Sequence, residues 1–458
     1  MTDCQTFGRK TSVLSDAARS FSAADLGVLR DQLVRETVGT CYERSSYYRS
    51  RLDALGVGAA DIACVADLER LPVLLGKEDE RELQERSRAR SGHPFGEHLC
   101  VDPVEVVAVS STSGTTGTPT FYAFTREDVA TTDMLWARAL TQAGVGPGTV
   151  VLQGFGLSMF LAGYPLARAV ERMGAQIVPV GAETGTDRLL GIARLVAPTV
   201  LLCTPSYARH LVERDPEAIR ALGLRSIVCA GEPGAGLPEI REAIEAGTGA
   251  VVYDALGGAH GIMNASTGAH PYDGMVVLGD DCSVQQLIDP DTREPVAIPD
   301  DGRPAYGERV KTTLGWRAQP QLRASVGDIY EMRRAPDAGG RLVTMIRVIG
   351  RTDDLLIIKG VKLYPAAAGD LIASFAPRVS GEFRILLDAP GPRVPPPLRL
   401  RVERGPVARS EADEALAAEI TAAMHNRLSV RPEVEVVAAG TLERTSHKTR
   451  YLEITGDR

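Results

Sequence analysis

The segment SSTSGTTGTPT, from Ser110 to Thr120, holds five threonines, three serines and two glycines in eleven residues. Glycines let a backbone approach a ligand closely, and clustered N–H and O–H donors suit the oxygens of a phosphate. Its spacing departs from GxxxxGK[ST]: Gly114 and Gly117 stand three apart and no lysine follows, which excludes an ordinary phosphate loop of that kind. On its own residues the segment reads either as a surface turn or as a phosphate cradle. The apolar run VEVVAV directly before it has the character of a strand that would position it.

That strand opens a series. VEVVAV, TVVLQGF, AQIVPV, TVLLCT, SIVCAG and AVVYDA are short β-branched runs, several separated by Ala/Leu/Arg-rich helical stretches, and this alternation predicts a parallel α/β sheet. The first hundred residues read as a helical cap. Beyond Asp280 the alternation stops, and CSVQQLIDPDTREP, ERVKTTL and LRASVGDIYEM predict antiparallel strands, a β-rich subdomain completing the large domain. A mixed tail follows, with the Pro-rich APGPRVPPPL and the helical SEADEALAAEITAAMHNRLS. The expected organisation is α/β: a large domain over residues 1–351 and a small α+β domain over 352–458, with the boundary near Thr352.

Composition bounds the function. A chain of 458 residues with 44% hydrophobic and 24% charged residues is ordinary for a globular protein. Its net charge of -8 offers no basic stripe and argues against nucleic acid as a partner. The mean hydropathy is -0.05, and the longest apolar runs, such as Thr149 to Gly163, are too short and glycine-broken to span a bilayer. No apolar stretch marks the amino terminus for secretion, so the expected location is the cytoplasm. Seven scattered cysteines, none in a CxxC pair, fit reduced thiols there.

Taken with its context, STSGTTGTPTFYAFT resembles the phosphate-binding motif of the adenylate-forming (ANL) superfamily, and the trailing Pro-Thr in place of lysine resembles its phenylacetate-CoA ligase branch. YERSSYYRSRLDALGV, VLLCTPSYARHLVE, CAGEPGAGLPEIREAIE, LIDPDTREP and VIGRTDDLLIIKGVKLYP fall in the order that branch shows, so the resemblance covers nearly the whole chain. It implies activation of a carboxylate by ATP and Mg2+ to an acyl-adenylate, then transfer to an acceptor, usually CoA. It further implies that Ser113, Gly114, Thr115, Thr116 and Gly117 hold the phosphates, with Thr116 taking part in catalysis. Asp328 of SVGDIY would accept the ribose hydroxyls, although alone it reads better as a turn aspartate before a strand, and Arg351 of GRTDD would meet ribose and phosphate. Asp353 matches the hinge. Lys448 of LERTSHKTRYLE aligns with the catalytic lysine, whose charge bridges the attacking carboxylate and the α-phosphate. Gly360, beside Lys359, matches the CoA tunnel. An acyl pocket for an aromatic small molecule is expected between a helix over GFGLSMFLAGYP (Gly154 to Pro165) and residues 230–261, with Phe155, Phe160, Tyr164 and Tyr253 as walls and Gly257 beside them. The branch also suggests a homodimer.

Two stretches depart from the family. At the adenine turn, Tyr-Gly-x-Ser/Thr-Glu in relatives, this chain reads YDALGG: Tyr253 remains, Asp254 replaces glycine, and Leu256 and Gly257 stand where hydroxyl and magnesium-holding carboxylate are expected. Asp254 or Glu232 would then hold the magnesium. Of a zinc site found in some relatives only His270 remains, with His260 and Cys282 as distant candidates, so no structural zinc is expected. Three functions follow: an aromatic acid–CoA ligase; an adenylating enzyme with another acceptor, forming an amide or activating nitrite to diazotise an aryl amine; or a non-catalytic nucleotide-binding relative.

Overall fold

The computed structural model describes residues 21–112, 119–232, 234–258, 262–325, 327–337, 340–352, 354–359, 361–389, 393–405, 407–442 and 451–455. Its amino-terminal helix, Ala23–Arg44, starts where the Ser22 side chain accepts from the Asp25 N–H. Leu33, Val34, Thr37, Val38 and Cys41 recur on its buried face. With the helices Ser46–Ala54 and Lys77–Ser91 it covers Val284, Leu314, Leu322 and Ala324, so the helical cap sits on the antiparallel half of the molecule. Each Val or Leu side chain among them taken from water contributes roughly 1.5–3 kcal/mol before entropy is subtracted.

Among the described residues one twelve-stranded sheet runs through the large part of the chain. The strands Val251–Gly258, Ser226–Cys229, Val200–Cys203, Val150–Gln153 and Gln176–Pro179 lie side by side in that order, each pair parallel. Every residue of Val200–Cys203 and Ser226–Cys229 is buried, because helices cover both faces. Arg126–Gln142 and Tyr164–Arg172 lie on one side, and Thr186–Val196, Pro205–Arg214 and Pro238–Thr248 on the other. Val251–Gly258 is the switch. Its first half pairs in parallel with Ser226–Cys229, and its second half pairs antiparallel with Ile262–Ala265. From there Met275–Val277, Leu342–Arg351, Asp328–Pro336, Ala305–Thr313, Ser283–Ile288 and Pro295–Val296 extend the sheet antiparallel.

Beyond Arg351 come a small hairpin, Leu356–Ile358 with Val361–Leu363, and a four-stranded sheet in the order Pro432–Val437, Leu398–Arg404, Val379–Leu387, Leu452–Ile454. The helices Pro365–Ala373 and Asp413–Leu428 pack on it through a core of their own. The mixed α/β class read from the sequence is the class observed.

Two local expectations are corrected. VEVVAV does not join the parallel sheet: Ala108–Ser111 pairs antiparallel with Phe121–Phe124 as a separate hairpin. Parallel pairing needs a crossover of about a dozen residues or more, and only the nine residues 112–120 separate these two strands. GFGLSMFLAGYP is not a helix either. Residues 154–163 form turns, and the helix begins only at Tyr164, with Pro165 in its first turn. Three glycines weaken helix formation there, and Gln153 Nε2 donates to the carbonyls of Ala162 and Gly163, 3.0 Å each, holding the loop in place.

Candidate active site

The carboxyl ends of parallel strands are where backbone N–H groups and loops converge, above all where strand direction changes. Here that edge is set by Gln153, Cys203, Cys229 and Asp254, the last two directly opposite in register. The loops leaving it carry Phe155, Thr204 and Glu232.

Asp254 is held from several sides. The Tyr272 hydroxyl donates to its Oδ2 at 2.8 Å, and its backbone N–H donates to Ser266 Oγ at 2.9 Å. Two guanidinium groups lie over the Tyr272 ring, Arg241 at 5.2 Å and Arg347 at 5.5 Å. Arg241 is anchored in turn by the carbonyls of Ala235 and Val252. Burial pushes the Asp254 carboxyl up to about 6 against the opposing Tyr272 hydrogen bond and Arg241 charge. Tyr253 faces the other way, partly buried against the core of the parallel half. A side chain at Gly268, where φ is +76°, would stand 3.0 Å from the Tyr253 ring. Glycine is therefore required there on both counts. Glu232 is half-buried, and its Oε1 accepts the Ser206 N–H at 2.8 Å at the start of the helix Pro205–Arg214.

A second group forms on the antiparallel half. Asp328 begins one strand and Arg351 ends its partner, directly opposite in register, with Arg351 Nη1 3.2 Å from Asp328 Oδ1. The other carboxylate oxygen lies 3.6 Å from Arg309 Nη2, and the Arg309 guanidinium sits 4.5 Å over the Tyr330 ring. Beside them burial and Arg309 push the Lys311 ammonium down to about 7, opposed by Glu80 and Asp328. The sequence reading of ERVKTTL as a strand contained no sign that Arg309 would face Asp328. The same holds for Tyr272 and Arg241. Each is an unremarkable residue until the sheet register brings it to its partner.

The hydroxyl-rich segment is the connection of the hairpin Ala108–Ser111/Phe121–Phe124. Its ends close with Thr112 N–H donating to the Thr120 carbonyl at 3.1 Å. The base is pinned to the helix Lys77–Ser91. Gln84 donates to the Phe121 carbonyl at 2.8 Å and accepts its N–H at 3.0 Å, and the Tyr122 hydroxyl donates to Glu80 at 3.0 Å. Ser113, Gly114, Thr115, Thr116 and Gly117 themselves lie outside the described residues, as do His260, Asp353, Gly360 and Lys448. Lys359 is exposed in the turn of the hairpin Leu356–Ile358/Val361–Leu363, with φ +50°.

The expected aromatic walls are not brought together as one surface. Phe155 is a core residue at 6% exposure, whereas Phe160 and Tyr164 are 41% and 64% exposed, and Arg168 lies over the Tyr164 ring at 5.4 Å. Phe155 follows a strand and is drawn into the sheet core, while the loop after it carries Phe160 outward. Gly257 is not in a turn but in the strand opposite Met263. A Cβ there would meet Met263 at 3.4 Å and Trp136 at 3.5 Å, so its surroundings are apolar. His270 lies 3.3 Å from Glu245, and the buried Cys282 thiol is bonded to Asp281. Among the described residues no three His, Cys, Asp or Glu side chains cluster as metal ligands, and no helix is long and apolar enough to cross a membrane.

Residues 360–453 match the family model of the AMP-binding enzyme C-terminal domain. The chain is 30% identical over 424 residues to the phenylacetate-coenzyme A ligase of Thermus thermophilus, covering 89% of this chain and 88% of that protein. It superposes with a TM-score of 0.83 on 2-hydroxyisobutyryl-CoA ligase in the postadenylation state in complex with R3-HIB-AMP, at 26% identity, covering 98% of this chain and 93% of that one. On the same ligase with 2-HIB-AMP and CoA in the thioesterification state the score is 0.65, at 27% identity and coverage of 97% and 94%. Equal coverage with a lower score reports a different arrangement of the same parts. This structure superposes more closely on the postadenylation-state structure than on the thioesterification-state one.

Proposed function

Because the chain belongs to the phenylacetate-CoA ligase family of adenylate-forming enzymes, we propose that it activates an aromatic carboxylate as an acyl-adenylate and passes it to CoA. That it is an ATP-dependent, acyl-AMP-forming CoA ligase follows from the family. The aromatic substrate is the further step. It is supported by the phenylacetate specificity in the name of the 30%-identical relative. Tyr253, the one aromatic of the switch strand Val251–Gly258, supplies a wall for a planar acid.

In this reading Asp328 accepts the ribose hydroxyls, with Arg351 and Arg309 aiming its carboxylate. Ser113, Gly114, Thr115, Thr116 and Gly117 receive the β- and γ-phosphates on a hairpin whose base Gln84 and Glu80 fix. The substrate carboxylate oxygen attacks the α-phosphorus, the bond to the β-phosphate bridging oxygen breaks, and pyrophosphate leaves. Lys448 neutralises the charge shared between the carboxylate and the α-phosphate. The chain divides near Thr352, and the small part turns about Asp353 so that the segment around Lys359 and Gly360 meets CoA. The CoA sulfur then attacks the acyl carbonyl, its proton passes to solvent, and AMP leaves.

Two carboxylates, Asp254 and Glu232, would be the oxygen donors for the magnesium that screens the phosphates. Asp254 is committed to Tyr272 and lies behind Gly236, whose added Cβ would stand 3.1 Å from Asp254 Oδ2. Glu232 is half-buried and has the better claim. A homodimer in the cytoplasm completes the proposal.

One observation keeps a second reading alive. Gly257 faces Trp136 and Met263 where the family places a carboxylate, so the acceptor chemistry of this chain is open to an amine or to nitrite. Exchange of labelled pyrophosphate into ATP, with magnesium and without CoA, across aryl acids and nitrite separates the readings. Exchange driven by an aryl acid and abolished by Lys448→Ala supports the ligase. Exchange driven by nitrite alone replaces it with a diazotase, and silence across the panel favours a binding protein.

A further inference from the structure

In the strand Val379–Leu387 the pairing with Leu398–Arg404 slips: Val379 faces Arg404, but Phe383 faces Val402. Three residues, Ser380, Gly381 and Glu382, thus oppose one, and the strand bulges outward. Bulges re-aim side chains, and this one is aimed at the large domain. Arg209, on the helix Pro205–Arg214, reaches across to it. Its Nη1 donates to the Ser380 carbonyl at 3.3 Å and its Nη2 meets Glu382 Oε1 at 3.1 Å. Between these acceptors Gly381 has φ +88°, and a Cβ there would stand 3.4 Å from Arg209 Nη1. The left-handed glycine both turns the bulge and leaves room for the guanidinium.

The contact is well enclosed: the Arg209 and Glu382 side chains are 15% and 17% exposed. Arg209 Nε is steadied from behind by Glu213 at 3.3 Å, one turn along its own helix, and Glu382 by Arg384 at 3.6 Å. A cavity of about 50 Å³ lies beside the pair, lined by Glu232 from the large domain and by Phe383 and Tyr451 from the small one. The grip therefore closes next to the loop that carries Glu232, and Tyr451 follows directly on the segment holding Lys448.

We propose that Arg209 and the Ser380–Glu382 bulge form a latch that holds the small domain in the arrangement of this structure, on the adenylate side of the cycle, and must open before the thioester step. The proposal rests on the two-step reading above. Arg209 is a positioning residue: it acts through the small domain and touches no reacting atom in this account. A guanidinium that donates to both a carbonyl and a carboxylate contributes enough to shift a two-state equilibrium by about tenfold.

The test separates the half-reactions. In Arg209→Ala, acid-dependent pyrophosphate exchange is expected to fall about tenfold, while thioester formation from supplied acyl-adenylate and CoA stays equal or rises. Arg209→Glu should be worse in exchange, and Arg209→Glu with Glu382→Arg should recover part of the loss, which a general folding defect would not. Small-angle scattering of the unliganded protein gives a readout free of chemistry: the alanine variant should be more extended than the wild type. Equal losses in both half-reactions without rescue, or unchanged exchange and unchanged scattering, overturn the latch. A wild type silent with every acid, yet extended on loss of Arg209, overturns the ligase reading and leaves the latch standing.

Discussion

Asparagine in place of Asp254 removes one ionisable group while keeping an oxygen to accept the Tyr272 hydroxyl. The structure sets the size of the effect. Burial raises this carboxyl from its ordinary 3.8 to about 6. At roughly 1.4 kcal/mol for each tenfold change in proton affinity, the native state bears about 3 kcal/mol once the group is fully ionised. The sign follows from which state releases its proton first. Below pH 3.8 both states hold the proton and the native state bears no penalty. As pH rises the unfolded chain ionises first, so this contribution to stability is lost as pH climbs through about 6. Of the total, roughly 1.4 kcal/mol falls between pH 5 and pH 8, and partial solvent contact makes that a ceiling. Urea unfolding of wild type and Asp254→Asn at several values across that range measures the difference directly. It should grow in favour of the variant with rising pH. A difference that stays flat, or one in which the variant loses ground as pH rises, refutes the argument that burial disfavours the charge.

Other consequences are as concrete. Arg138 and Asp281 form an ion pair at 2.6 Å with both side chains 2% exposed. Asp281→Asn should therefore cost about 3–5 kcal/mol in urea unfolding, and an apolar replacement of both partners should recover most of it. Gln84→Leu strips the Phe121 N–H and carbonyl of their partners, at roughly 1–3 kcal/mol each. The KM for ATP should rise severalfold while the KM for the acid holds, and equal changes in both would deny the hairpin base a positioning role. Glu232→Gln should raise the magnesium concentration needed for half-maximal pyrophosphate exchange more than Asp254→Asn does, and the reverse order would return the metal to Asp254. Lys448→Ala should lower exchange by at least roughly a hundredfold at saturating ATP.

Much of the architecture is written locally. The runs TVVLQGF, TVLLCT and SIVCAG became adjacent parallel strands because β-branched residues in short apolar runs bury on both faces. SEADEALAAEITAAMHNRLS became the helix Asp413–Leu428, with Leu416, Ile420 and Met424 as its buried stripe. Where local signals conflicted, the reading failed. VEVVAV looked like its neighbours but had no crossover behind it, and GFGLSMFLAGYP carried a helix-like apolar content that its glycines override.

The candidate site divides in the same way. The hydroxyl loop, Tyr253, Asp328, Arg351 and Lys448 could be singled out from residue type and motif, since a motif is a local string. Their partners could not. Arg309 reaches Asp328, Tyr272 reaches Asp254, and Arg209 reaches Glu382 only through sheet register and domain docking. The sequence by itself determined the class of elements, their order and the strings that mark the chemistry, because periodicity and turn residues act over a few neighbours. Only the tertiary structure decided which charges meet and how strongly burial shifts them. Desolvation and Coulomb energies depend on distances between residues 18 to 173 positions apart, and no local pattern fixes those.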